Sequence, residues 1–350
     1  MKIKSLKFIV SFMLVMIVSC DEPETVVTNI IHQDGSITRK IEMRKSDNKF
    51  EITDIQVPLD STWIISDSSE ISLKGDTTWI KRAEKIFKNA DELNLAYTSD
   101  TGCNSYLSRH AWFSKKFRWF NTIYSFSETV GKRFRYGYPV RDYLNDEEQL
   151  WFYSPYNSNQ AKLAGPDSLK YKALSDSVER RKDEWLLKSI VSEWIGEFSE
   201  QIDREPDAVL WLDSLKKGED RIVKIVQTND QDLDNLWQSG YILKEFIGES
   251  NALNYRTEAD SALDIIEDRL FESFAGYSVR ISMPGKLTSS NGFVDSSHIL
   301  LWPVIDEYFL AEDYVMWAES RVPNIWAWIV SGIFVLFVGT GVLIRRNKKG

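Results

Sequence analysis

Few residues of this 350-residue chain fall in patterns that could do covalent chemistry. Gly248-Glu249-Ser250-Asn251-Ala252 resembles a nucleophile elbow with Ala in the last place. An elbow works because a strand runs into a helix through a strained turn that exposes the serine. Here a helical pattern precedes Ser250, so a helix end and loop explain these residues. Asp230, Asp232 and Asp234 imitate the start of a calcium loop, which needs Gly at its sixth position and Glu at its twelfth. Those positions hold Asn235 and Tyr241, and the calcium reading fails. His32, His110 and His298 are scattered through strand-like segments with no cysteine cluster, so zinc is not expected. No glycine-rich phosphate loop follows a strand, and Asp146, Glu147 and Glu148 read as a solvated polar loop. A carboxylate pair that meets only in the fold stays open. The expectation is a non-enzymatic protein with no catalytic residues, no metal and no cofactor.

The residue with a definite chemical expectation is Cys20. Lys2, Lys4 and Lys7 precede an apolar stretch from Phe8 to Val18 that only Ser11 interrupts. This has the form of a signal-peptide core and is too short to span a bilayer. It ends in Ile17-Val18-Ser19-Cys20, which resembles the lipobox of bacterial lipoproteins. The resemblance implies removal of residues 1–19 as a signal peptide and acylation of Cys20, for example with palmitate. Asp21 resembles the inner-membrane retention signal of enterobacterial lipoproteins. The only other cysteine, Cys103, then has no partner in the chain and is expected to be a small buried residue.

The far end reads as a transmembrane helix over 323–344. Ile325 to Ile344 carries no charge, Trp326 and Trp328 fit an interfacial belt, and Arg345, Arg346, Lys348 and Lys349 follow. The expected topology is a periplasmic body over 20–322, tethered by lipid and by helix to the bacterial inner membrane, with a basic cytoplasmic tail over 345–350. The formal net charge of −9 hides this arrangement. Without the basic leader and tail, 36 basic groups face 52 acidic ones, a balance of −16. An acidic body of that size excludes a nucleic-acid binder, which needs Lys and Arg to displace counterions.

The body is expected to be α+β, with an antiparallel sheet built from both of its ends and an inserted helical lobe. Two β-branched runs flank Asp34-Gly35 and predict a hairpin over 25–44. A strand is expected over 50–57. Asp60-Ser61-Thr62-Trp63 recurs as Asp76-Thr77-Thr78-Trp79, predicting two related strand entries with a turn at Gly75-Asp76. Ile80, Ala83, Ile86, Phe87, Ala90 and Leu93 predict a helix over 79–94. A lobe over about 165–274 is expected from Leu186, Ile190, Trp194, Phe198 and Ile202, with Leu187, Val191 and Ile195 widening the stripe. Pro206 is placed to start a short helix. Strands are expected to return at 277–283, 287–290, 298–302 and 308–317.

Residues 109–141 stand apart, with ten aromatics and eight basic residues against one acid, Glu128. They predict two long strands with a turn near Gly131. One account is an aromatic sheet core with basic side chains snorkelling out. The other is a surface facing anionic head groups, for which the candidates are Trp112, Lys115, Lys116, Arg118, Trp119, Lys132, Arg133 and Arg135.

Asp34-Gly35, Pro284-Gly285, Asn291-Gly292 and Trp302, with the lipobox and the terminal helix, are similar to the pattern of the LppM-like family of bacterial lipoproteins. The resemblance covers about 80 residues at the two ends and leaves out the aromatic stretch and the helical lobe. It implies a small α+β envelope domain with a proposed lipid-binding role, and supplies no catalytic residues. The function expected is binding of lipid, an apolar ligand or the membrane surface. The alternatives are a scaffold or adaptor subunit of an inner-membrane protein complex, with the acidic lobe as docking face for another envelope protein, and a hydrolase whose site is not recognised.

Overall fold

A computed structural model describes residues 24–50, 61–73, 75–99, 106–155, 166–202, 208–228, 237, 239–271, 274, 276–295 and 299–347. The signal segment with Cys20, all but Phe50 of the strand expected over 50–57, Cys103, Pro206, Asp230, Asp232, Asp234 and His298 lie outside the described residues. The chain is α+β and divides into two compact units. One holds 131–276 and 303–314, the other 24–130, 277–302 and 315–350.

The second unit is built on two sheets. The hairpin β1 (Glu24–Ile31) and β2 (Ile37–Lys45) forms as the sequence predicts, with Gly35 at φ 94° in its turn. A side chain there would also meet the Phe113 ring at 2.9 Å, so the turn needs glycine twice over. β3 (Ile64–Ile71) and β4 (Thr77–Phe87) follow as a second hairpin that ends the sheet on that side. Gly75 is in its turn, as the repeated Trp-containing tetrapeptide implied. The first sheet is completed by β7 (Tyr277–Ser282), β9 (Phe293–Val294) and β10 (Leu300–Val304), in the order β3-β4-β2-β1-β7-β10-β9. β1 and β7 run parallel, because the connection between them is a long excursion rather than a hairpin. The expected single antiparallel sheet is therefore two sheets, and β1 and β7 within the first are parallel.

The helix expected over 79–94 is a strand up to Phe87, and only α1 (Ala90–Thr98) is helical. β4 is paired on both edges, with β2 and with β3. Eleven residues so satisfied outweigh an apolar spacing that happens to suit a helix, and Ile86 of that pattern is left 65% exposed. Asn89 then starts α1 by accepting from the Glu92 backbone N–H.

The second sheet has the order β5-β6-β11-β8. It is formed by β5 (Arg109–Phe117), β6 (Asn121–Val130), β8 (Lys286–Ser290) and β11 (Tyr314–Pro323). The β5–β6 turn is at Arg118–Asn121, not at Gly131, where β6 has already ended. Of the strand expected over 308–317, Tyr308 and Phe309 end a 3-10 turn over Asp306–Phe309, and β11 begins only at Tyr314. Trp302, Asn291 and Gly292 form one structural knot. The Trp302 indole donates to Asn291 Oδ1 at 3.0 Å, and the Trp317 backbone N–H donates to the same oxygen at 2.9 Å.

A buried polar cluster joins the two sheets. Glu128 on β6 accepts from Arg39 on β2 at 3.1 Å, from Asn29 on β1 at 2.8 Å and from the Tyr97 phenol on α1 at 2.7 Å. Arg39, Asn29 and Glu128 are fully buried. The Tyr97 ring lies against both Arg39 and Arg109, 5.4 and 4.7 Å from their guanidinium carbons. Burial pushes the Glu128 carboxyl up, but the Arg39 charge and the bonds from Tyr97, Arg39 and Asn29 together hold it below its usual 4.5.

The other unit is mainly helical. It comprises α2 (Asp146–Phe152), α3 (Pro166–Ile202), α4 (Ala208–Lys217), α5 (Glu219–Thr228), α6 (Tyr241–Ile247), α7 (Glu249–Asn254) and α8 (Arg256–Phe271). Asp146, Glu147 and Glu148 are the first turn of α2, not a loop. Asn145 and Glu148 cap it reciprocally, which the Asn-x-x-Glu spacing encodes. Trp194, Phe198, Val191 and Ile195 of the predicted stripe on α3 are buried. Glu193 and Glu197 on the same helix are buried too, and Arg269 of α8 bridges them. Residues 131–276 and 303–314 carry 19 basic against 33 acidic side chains, so most of the body's acidity belongs to this unit.

Glu128→Gln removes the counter-charge of a buried guanidinium and is expected to lower stability by about 3–5 kcal/mol, seen as a fall in the thermal midpoint of the detergent-solubilised chain. Glu42→Gln, in half-exposed pairs with Arg44 and Arg82, is expected to change it by under about 1 kcal/mol. Because folding depresses the Glu128 carboxyl, its contribution is complete above pH 4.5 and is lost as pH falls below that value. Unfolding midpoints measured from pH 6 down to pH 3 should fall more steeply for the wild type than for Glu128→Gln.

Candidate functional site

The chemistry-bearing motifs disperse in the fold. Ser250 is an exposed residue of α7, and α6 rather than a strand precedes it, so the elbow geometry is not formed. His110 is exposed on β5, and His32 Nε2 lies 2.8 Å from Thr38 Oγ1 on the neighbouring strand. Among the described residues no group of three or more His, Cys, Asp or Glu is placed to hold a metal. A concavity of about 350 Å³ on the outer face of the first sheet is lined by Lys40, Glu42, Arg82 and Glu84. These charges pair among themselves, Lys40 with Glu84 and Arg82 with Glu42.

What the fold does assemble is the meeting of the β5–β6 tip with α9 (Ile325–Asn347). This helix is 23 residues long, long and apolar enough to cross a membrane, and most of its apolar residues are exposed. Its entry is bonded to the tip. The Asn324 side chain donates to the carbonyls of Arg118 and Trp119 at 2.7 and 3.2 Å, and accepts from the Thr122 hydroxyl at 2.9 Å. Its backbone N–H donates to the Phe120 carbonyl at 2.9 Å, and its own carbonyl accepts from the Ala327 N–H at 2.9 Å. One residue therefore closes the hairpin turn and starts the helix.

Aromatic rings complete the junction. Phe117 stacks on Trp326 with centroids 6.3 Å apart, Trp119 meets Trp326 edge-on at 5.2 Å, and Phe120 lies 4.4 Å from Trp328. The Trp119 indole N–H donates to the Ser331 hydroxyl at 2.9 Å. Ser331 is six residues into α9, about 9 Å along its axis at about 1.5 Å per residue. The tip thus runs alongside the first turns of the apolar helix. All five rings stay between 37% and 57% exposed, a contiguous aromatic patch around the helix base. Rings with an apolar body and a polar handle suit the head-group layer of a bilayer.

The predicted surface residues divide between the two units. Trp112, Lys115, Lys116, Arg118 and Trp119 lie on the β5–β6 hairpin, all exposed. Lys115 Nζ donates to the Gln33 carbonyl at 2.9 Å and lies over the Tyr124 ring. Lys132, Arg133 and Arg135 belong to the helical unit. There Arg135 is bound to Glu197 and Glu200 at 2.8 and 2.6 Å, and Lys132 Nζ donates to the Arg135 carbonyl. Sequence reasoning missed Phe117, Phe120 and Asn324 as site residues. The signal for the two rings is the run Phe117-Arg118-Trp119-Phe120-Asn121 at the true turn, where a turn near Gly131 implies strand, and nothing local marks Asn324.

No protein-family model matches the sequence, and no curated protein matches it. Among solved structures, the folded domain of LppM from Mycobacterium tuberculosis, determined by NMR, aligns with 87% of this chain and 92% of its own, at 9% identity. The TM-score is 0.26, and a superposition that loose carries no argument about fold or function.

Asn324→Ala removes the three side-chain bonds that Asn324 makes to the tip, while its backbone bond to Phe120 and both elements stay intact. The backbone amides of residues 118–122 are expected to exchange roughly tenfold faster or more in the full chain, as for the loss of hydrogen bonds of about 1.5 kcal/mol. Amides near the buried Glu128 should be unchanged.

Proposed function

We propose that this chain is a membrane-tethered envelope protein whose two-sheet unit is seated on the bilayer, and that it works without catalysis by contacting lipid there. The observation that carries the reading is the clamp of the β5–β6 tip onto the base of α9 by Asn324 and by the Trp119–Ser331 bond. A helix that crosses the bilayer brings its bonded neighbours to the interface with it. Phe117, Trp119 and Phe120 then enter the head-group layer beside Trp326 and Trp328. Lys115, Lys116 and Arg118 face the same layer from just above it.

The proposed topology keeps the body on the periplasmic side of an inner membrane, since Arg345 and Arg346 end α9 and basic residues favour the cytoplasmic side. Acylation at Cys20 would add a second attachment. A single acyl chain binds only marginally, whereas a spanning helix is effectively irreversible, so the lipid orients the body rather than retains it.

A photo-crosslinking residue placed at 120 in the full chain, reconstituted in lipid nanodiscs, is expected to give lipid adducts on illumination. The same residue at 110, at the other end of β5, is expected to give few. Equal labelling at the two positions, or none at 120, would overturn the reading.

A further inference from the structure

Beyond the tip itself, the end of the second sheet that meets α9 gathers basic residues from segments far apart in sequence. β8 and β11 pair antiparallel, with Lys286 opposite Arg321, and β11 passes directly into Asn324 and α9. β5 ends at the same place, because Asn324 is bonded to the Arg118 and Phe120 carbonyls. Lys116 and Arg118 on β5 and its turn, Arg321 on β11 and Lys286 on β8 are thus at one end of one sheet, and all four are exposed. Among the described residues none of the four forms an ion pair. The hairpin's single acid, Glu128, lies at the other end of β6, buried and bound to Arg39. Glu319, the nearest carboxylate on β11, accepts from Thr288 and sits two residues further from the helix than Arg321.

Gly285 maintains this end of the sheet. It has φ 78°, and a side chain there would meet the Arg321 carbonyl at 2.6 Å. Close approach of the β7–β8 turn to β11 is what carries Lys286 next to Arg321. The Ser320 hydroxyl ties the same turn by donating to the Pro284 carbonyl at 2.7 Å.

We infer that Lys116, Arg118, Lys286 and Arg321 form a docking site for the phosphates of anionic phospholipid head groups in the leaflet that α9 enters. This rests on the membrane-seated reading above and names the lipid class that reading leaves open. Charge complementarity decides the occupant. The four cations are exposed, have no ion-pair partner among the described residues and are held next to an apolar helix base. A zwitterionic surface offers them no net attraction, and an anionic one adds a favourable contribution for each cation near it.

The test uses the full chain with the photo-crosslinking residue at 120, in nanodiscs of phosphatidylcholine containing 30% phosphatidylglycerol. Mass spectrometry identifies the captured lipid, so the basic residues after α9, near the opposite leaflet, do not enter the readout. The ratio of phosphatidylglycerol to phosphatidylcholine among captured lipids is expected to exceed their mole ratio in the nanodisc by about fivefold at low salt, and the enrichment to weaken in 0.5 M salt. The variant Lys116→Gln, Arg118→Gln, Lys286→Gln, Arg321→Gln should capture the two lipids in proportion to their abundance. Lys116→Arg with Lys286→Arg should keep the enrichment, as should Lys49→Gln with Lys88→Gln in the segments that follow β2 and β4. Lipid capture by the wild type at mole-fraction ratio would overturn the docking site and leave the membrane contact standing. No lipid capture at 120 would overturn both.

Discussion

The arrangement of the two-sheet unit depends on one buried ion pair. Arg39 and Glu128 come from different sheets and meet with no water-accessible surface. Such a pair is expensive to desolvate, and its net gain in stability is small against an apolar pair of equal volume. Its value lies in register. Side chains on a strand alternate between faces, so slipping β6 by one residue would turn Glu128 outward and leave Arg39 buried alone. Asn29 and Tyr97 add bonds to the same carboxylate and tie β1 and α1 to that register.

The functional tip inherits its position from this cluster. From Glu128 to Asn121, β6 runs seven residues, roughly 23 Å at about 3.3 Å per residue. The hairpin is anchored at one end by the buried charge cluster and at the other by Asn324 at the helix entry. A strand paired on both edges and tied at both ends transmits the orientation of α9 to the rest of the unit. The arrangement also explains why exposed tryptophans on this hairpin are tolerated: they surround a helix that is itself too apolar for water.

The eight basic residues of 109–141 illustrate how one composition serves several ends. Arg109 is buried against Tyr97, and Arg135 is neutralised by Glu197 and Glu200 in the helical unit. Only Lys115, Lys116 and Arg118 are presented at the tip. The lone acid of the segment, which looked like an exception to a basic patch, is the centre of the buried network. A charge count along the chain cannot separate these roles, because they are assigned by partners outside any short window, from 12 residues away for Arg109 and Tyr97 to 62 for Arg135 and Glu197.

Local signals in the sequence were enough for the first hairpin, the α3 stripe, the apolar terminal helix and the turns at Gly75 and Gly285. Each follows from side-chain period, β-branching or a positive φ, all of which act within a few residues. The spacing around Ile80 misled because helix and strand can bury similar residues, and only pairing of β4 with β2 and β3 decides between them. The turn of the β5–β6 hairpin was misplaced for a related reason. Glycine marks turns in general, yet here the Asn324 side chain supplies the bonds that hold a turn of bulky aromatics. The two sheets, the Arg39–Glu128 pair and the convergence of Lys116, Arg118, Lys286 and Arg321 belong to tertiary structure alone. They depend on which strands become neighbours, and that choice is made by the free energy of the whole packed chain rather than by any window of it.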